Sequence, residues 1–356
     1  MARPAHGGNL SWAASLAGCS PDEILDFSAS INPLGTPASA IAAIHAHLSV
    51  LRDYPDPNYW QVRSRLAAIH QLSEDWILPG NGSAELLTWA AWDLAQTKAT
   101  HLITPAFGDY FRALKAFGAR VIRCPFEFLN ANSELKFENN SVCGLLLNNP
   151  HNPTGKLFSK TAILPLLEQF SLVVIDEAFM DFLTPDRQQS LIQWVQDYPN
   201  LVILRSLTKF YSLPGLRFGY AIAHPDRLKK WQERRDPWSV NVLAAAAAEA
   251  VLQDERYQKQ TFEWLEPARS CLFNHLDQIS GLLPIPSVAN FFLVQSERSS
   301  VQLQQQLLQQ HRVLIRDCVS FPELGDRYFR VAVRLESENQ RLIEGLTSCL
   351  LTTTSS

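Results

Sequence analysis

Val142-Cys143-Gly144-Leu145-Leu146-Leu147-Asn148-Asn149-Pro150-His151-Asn152-Pro153-Thr154-Gly155 is an apolar run that breaks abruptly into a turn of prolines, asparagines and a glycine. The run lacks the polar–apolar alternation of a strand solvated on one face, so it reads as a strand buried on both. Outward from it the same rhythm repeats. Short β-branched or Leu-rich runs at 101–104, 119–124, 172–176, 201–205 and 219–223 alternate with segments of helical character at 83–95, 110–117, 160–170 and 188–198. Buried strands interleaved with helices predict an α/β fold, a sheet covered by helices on both faces.

After Asn241 the character changes. An Ala-rich stretch at 243–252 continues in helical periodicity to about residue 279, with Pro267 expected to bend or interrupt it. Beyond it the sequence reads as strand (288–294), Gln-rich helix (300–310), strands (313–316 and 328–333) and a closing helix (337–350), a smaller α+β unit. The first 50 residues, punctuated by Gly7, Gly8, Pro33, Gly35 and Pro37, read as an extended arm. The expected organisation is an N-terminal arm at 1–48, a large domain at 49–240 and a small C-terminal domain at 241–356.

Composition removes several classes of function. With 31 Lys and Arg against 35 Asp and Glu, the net charge of −4 supplies no general attraction for nucleic acid or anionic lipid. The six cysteines are scattered and form no CxxC pair, so neither a disulfide framework nor a metal site is expected. Residues 1–25 lack a continuous apolar segment and no apolar stretch approaches 18 residues, so the expected location is the cytoplasm.

Four motifs fall where strands give way to helices or loops, the edge at which open α/β sheets place ligands. Gly80-Asn81-Gly82-Ser83-Ala84-Glu85 is a Gly-rich turn opening a helix, suited to a phosphate or simply to capping. Asn152, in the turn quoted above, presents an amide from a segment stiffened by two prolines. Asp176 ends the most apolar strand, where an acid serves as a cap or addresses a cationic ligand group. Ser206-Leu207-Thr208-Lys209 with Arg217 supplies two hydroxyls and a guanidinium for an anion, and an amine whose desolvation would make it a Schiff-base nucleophile.

In this order the motifs resemble those of the fold type I pyridoxal 5'-phosphate enzymes, in the branch containing histidinol-phosphate aminotransferase, and the resemblance covers essentially the whole chain. It implies a large three-layer α/β domain with a mixed, mostly parallel sheet and a smaller α+β domain. It further implies that Lys209 carries the cofactor, Asp176 pairs with its ring nitrogen, Asn152 meets its ring oxygen and Phe107 stacks on the ring. Gly82, Ser83, Ala84, Ser206, Thr208 and Arg217 would hold its phosphate, with Tyr54 reaching it from a second subunit of a homodimer.

Within that branch, His6-Gly7-Gly8-Asn9, the segment Leu25-Asp26-Phe27-Ser28-Ala29-Ser30-Ile31-Asn32-Pro33-Leu34-Gly35, and Asp176-Glu177-Ala178-Phe179 resemble the cobalamin-pathway threonine-phosphate decarboxylases. Phe179 stands where many aminotransferases of the branch carry tyrosine. The resemblance implies decarboxylation of L-threonine O-3-phosphate, with histidinol-phosphate transamination as the alternative. Arg330 would take the α-carboxylate and Arg316 the distal anion, while His6 and Asn32 complete the pocket. Arg334, four residues from Arg330, would share its strand face and is a secondary candidate.

Overall fold

The computed structural model describes residues 4, 6–129, 137 and 140–351; the outer ends of the expected arm and small domain lie outside them. From the N-terminus come α1 (Leu10–Ala17), β1 (Leu25–Asp26), α2 (Ala38–His47) and α3 (Trp60–His70). The large sheet's segment follows: β2 (Ile77–Asn81), α4 (Ser83–Leu94), β3 (Thr100–Thr104), α5 (Gly108–Ala116), β4 (Val121–Pro125) and β5 (Asn140–Asn148). It continues with α6 (Lys160–Ile163), α7 (Leu166–Gln169), β6 (Phe170–Asp176), β7 (Leu201–Ser206), β8 (Phe218–Ala223) and α8 (Pro225–Gln232). The C-terminal part comprises α9 (Val242–Val251), α10 (Glu255–Asp277), β9 (Leu282–Pro284), β10 (Phe291–Ser296), α11 (Ser300–His311), β11 (Val313–Leu314), β12 (Arg316–Asp317), β13 (Tyr328–Ala332) and α12 (Glu336–Leu351).

Seven strands form one sheet in the order β2-β8-β7-β6-β5-β3-β4. Only β8 runs antiparallel to its neighbours, so the sheet is mixed and mostly parallel, as expected. Its side chains divide cleanly between two cores. Leu145, Leu147, Val173, Ile175 and Ile203 enter one with α3 and α9, while Leu146, Leu172, Val174, Val202 and Leu204 enter the other with α4, α5 and α8. This double burial explains why the strands carry no polar alternation. A second, antiparallel sheet, β12-β13-β10-β9, forms the smaller unit. No described helix is long and apolar enough to cross a membrane.

Several expectations are corrected. The first 50 residues are not simply extended: they hold α1 and α2, and β1 pairs in parallel with β11, seating the segment on the small unit. Pro267 does not interrupt α10, a single 23-residue helix. An interior proline costs about 3 kcal/mol, but Tyr257, Thr261, Leu265, Arg269, Leu272 and Leu276 bury one continuous face and outweigh it. The helix expected at 160–170 splits into α6 and α7 around Pro165, which has no N–H to continue the ladder. The region 188–198 forms only a 3-10 turn at Ile192–Trp194, because the Glu177 carboxylate accepts the Leu191 N–H and Pro199 stops propagation.

Candidate active site

The site gathers where β5, β6 and β7 end and α4 and α5 begin. Gly82 precedes α4 with φ +73° and ψ 161° and, having no side chain, leaves the first amides of the helix without a side-chain cap. A Cβ here would fall 2.5 Å from Arg217 Nη2. A Cβ on Gly219 would lie 2.4 Å from Ser83 N, so β8 also approaches the helix start closely. Uncapped amides, the positive end of α4 and a guanidinium together make an anion cradle. Ser206 and Thr208 are buried beside it, and the Ser206 hydroxyl accepts from Thr208 N at 3.3 Å.

Gly82→Ala is expected to destabilise the protein by roughly 1–3 kcal/mol, since this backbone conformation is essentially reserved for glycine. Urea denaturation measures it, and an unchanged unfolding midpoint would refute the crowding against Arg217.

Asp176 lies at the end of β6, and its carboxylate accepts hydrogen bonds from Tyr110 Oη (2.8 Å) and Ala178 N (3.0 Å). Burial raises its pKa in spite of those donors and of the nearby Lys209 ammonium. The next residue turns away: Glu177 pairs with the buried Arg205 (3.1 Å), which also binds Asp181 (2.7 Å), pinning the turn after β6 to β7. Phe179 packs edge-on against Phe291 at 5.0 Å and brings no hydroxyl. His151, buried and held neutral with its pKa near 3 by desolvation, meets Thr154 Oγ1 at 2.9 Å. Asn149 closes the turn reciprocally with the backbone of Phe158 at 2.9 Å both ways.

Lys209 follows β7. Burial, then the Arg330 and Arg217 guanidiniums, push its pKa down to about 8, while Asp26 and Asp176 pull the other way. The same groups define the site's perimeter. Arg330, on β13, donates to Asn152 Oδ1 and, at 3.3 Å, to the Ser28 carbonyl, and its guanidinium lies 4.9 Å from the Phe291 ring centre. Its Nε is buried with no hydrogen-bond partner among the described residues, and desolvation lowers its pKa to about 10, so it remains a cation at neutral pH. Directly opposite across the antiparallel pair stands Arg316, buried, donating to Ser320 Oγ (2.6 Å) and to the Pro4 carbonyl (3.4 Å). His6 joins from the N-terminal segment with its ring 5.4 Å from Phe107, at the start of α5.

Lys209, Asp176, Asn152, Phe107, Arg217, Gly82, Ser83, Ser206, Thr208, Arg330, Arg316 and His6 are thus linked through this one network, and Ala84 follows Ser83 in the first turn of α4. Three other residues are placed differently. Asn32 adjoins the lysine, its N–H donating to the Lys209 carbonyl, but both its amide hydrogens are engaged by the Phe210 carbonyl and Thr261 Oγ1, each at 2.8 Å. These bonds fasten the lysine's loop to the N-terminal segment. Arg334 lies beyond the end of β13, where strand alternation no longer applies, and binds Glu338 (2.8 Å) and the Asp26 carbonyl (3.1 Å). Tyr54 is 78% exposed, stacked on Trp238 at 4.4 Å, outside this chain's network.

Sequence reasoning missed Tyr110, Asp26 and Ser28. Asp26 was visible only as one acid in an arm; its carboxylate accepts from Ser28 N (2.7 Å) and Oγ (2.6 Å), fixing the carbonyl that Arg330 meets.

The donor set fits pyridoxal phosphate: an uncapped helix start with a guanidinium for the phosphate, a buried carboxylate for the ring nitrogen, and a depressed lysine for the aldehyde carbon. Comparison with known proteins agrees with this geometry. The model of the aminotransferase class I and II family matches residues 22–346. The threonine-phosphate decarboxylase of Salmonella typhimurium is 38% identical over 355 residues, 97% of this chain and 96% of its own. The histidinol-phosphate aminotransferase of Symbiobacterium thermophilum is 34% identical over 328 residues, 90% of this chain and 88% of its own. The crystal structure of L-threonine-O-3-phosphate decarboxylase from Porphyromonas gingivalis superposes with a TM-score of 0.83 at 26% identity, covering 91% of this chain and 99% of that one.

Proposed function

The chain belongs to the aminotransferase class I and II family, and from that premise we propose that it decarboxylates L-threonine O-3-phosphate to (R)-1-amino-2-propanol O-2-phosphate, a step of cobalamin biosynthesis, with pyridoxal 5'-phosphate as cofactor. The observation that carries this reading is the pairing of Arg316 with Arg330 across β12 and β13. Like charges directly opposite in a sheet are unfavourable, and a small substrate bearing both a carboxylate and a phosphate neutralises both.

When bound, the cofactor supplies an electron-accepting ring for the electron pair left as a bond to the substrate α-carbon breaks. The chain's residues do the rest. Ser83, Ala84, Ser206, Thr208 and Arg217 would hold its phosphate, Phe107 would cover the ring and Asn152 would meet its oxygen. Asp176 would keep the ring nitrogen protonated by placing a carboxylate beside it. Arg330 orients the substrate carboxylate for departure as CO2, while Arg316 and His6 hold the substrate phosphate. Lys209, its pKa pushed down to about 8 chiefly by burial, would bind the cofactor and then deliver a proton to the α-carbon.

We place the protein in the cytoplasm as a homodimer. Exposed Leu48, Leu51, Tyr54, Trp60 and Trp238 supply an apolar surface for a second copy, across which Tyr54 would reach the neighbour's cofactor phosphate.

The test is to incubate the cofactor-loaded protein with L-threonine O-3-phosphate, following CO2 and aminopropanol phosphate with and without 2-oxoglutarate. Acceptor-independent CO2 release is expected. Absence of CO2, with glutamate formed from histidinol phosphate and 2-oxoglutarate, would replace this reading with the aminotransferase activity of the second relative.

A further inference from the structure

Tyr110 has no part in the chemistry above, yet it makes one of the two hydrogen bonds to the Asp176 carboxylate. Its ring is buried in the core formed by α4, α5 and α8 and packs edge-on against Phe107 at 5.7 Å. Its hydroxyl reaches Asp176 Oδ2 at 2.8 Å. We propose that Tyr110 is a positioning residue that holds Asp176 ionised and aimed at the cofactor's ring nitrogen, so that α5 sets both the stacking ring and the ring's charge.

A phenol beside a carboxylate is always the donor while it keeps its proton, and burial with the adjacent Asp176 and Asp109 charges raises the Tyr110 pKa well above its usual 10. The hydrogen bond is therefore present throughout the working pH range and favours the charged carboxylate. Opposing it, burial favours the neutral acid. The other groups acting on Asp176 are its own turn's Ala178 N–H, the Lys209 ammonium, which favours ionisation, and Asp109 on α5, which disfavours it. On the sheet, Asp176 is flanked by Asn148 of β5 and Leu204 of β7, neither of which titrates. Lys209 acts on Asp176 only through its charge, which leaves Tyr110, among the described residues, as the side-chain hydrogen-bond donor to the acid.

The inference rests on the cofactor reading, and its test separates the two. Tyr110→Phe keeps the buried ring and removes one oxygen. In the loaded protein, the pH midpoint of the cofactor's visible band should rise by about one unit, because a ring that loses its nitrogen proton withdraws less charge from the protonated Lys209 linkage. The turnover rate should fall roughly tenfold with KM little changed. Introduced into Asp176→Asn, the same change should add no further shift. An unmoved midpoint in Tyr110→Phe, or an equal shift in the Asp176→Asn background, would overturn the role of Tyr110 while leaving the cofactor reading intact. A wild-type protein that develops no visible band with pyridoxal phosphate would overturn both.

Discussion

Lys209→Ala should give a folded protein that shows no visible band of lysine-linked cofactor and whose decarboxylation is lowered by at least about 10⁴-fold. Two separate functions are lost with one amine, the anchor of the cofactor and the proton donor to the α-carbon. The fold has no need of that amine. Its pKa is depressed to about 8 in the folded chain from 10.5, so between those values the unfolded chain binds more protons. In the cofactor-free wild type, stability therefore rises with pH across that window, and the variant should lack the rise. The same depression predicts that cofactor uptake by the wild-type apoprotein accelerates up to about pH 8 and then levels off, because the neutral amine is the reactive form. Absorbance after adding pyridoxal phosphate measures both. A variant that keeps the lysine-linked band would remove Lys209 from its assigned place, and uptake still accelerating to pH 10 would show that the lysine is not desolvated.

What could be read in the sequence and what could not divides along a physical line. The strands at 101–104, 142–148, 172–176 and 201–205 were legible because burial on both faces leaves runs that are mostly apolar and lack polar alternation, a signal local to each run. The strand β2 was not legible, because Ile77-Leu78-Pro79-Gly80-Asn81 contains two strand-breaking residues. It is an edge strand paired only with β8, the position at which a sheet tolerates proline. The site divides similarly. Lys209, Asp176, Asn152 and Arg217 sit in motifs of a few residues each. Tyr110 and Asn32 act through partners 66 and 178 residues away in sequence, and no local pattern announces such contacts. Arg334 shows the converse: alternation places side chains only within a strand, and β13 ends at Ala332.

Arg330→Met should lower kcat/KM for threonine phosphate by roughly 10³-fold while leaving the protein's stability within about 1 kcal/mol of wild type. Ordinarily, removing a buried cation from a network of hydrogen bonds is destabilising. Here the cation confronts Arg316 across the sheet, has a buried Nε with no hydrogen-bond partner among the described residues, and carries a pKa lowered to about 10 chiefly by burial and further by Arg316. Its charge is thus poorly compensated among the described residues, and a thioether of similar reach keeps the packing over Phe291. A group that burdens the fold while pointing into the site is what substrate binding would relieve. Lysine should not restore activity, since a point charge cannot grip a carboxylate bidentately. Paired assays of CO2 release and urea unfolding distinguish the alternatives. Turnover unchanged in Arg330→Met would remove the carboxylate from that arginine and with it the pose that directs CO2 loss, whereas a large loss of stability would make Arg330 a structural cation whose partner lies within the chain.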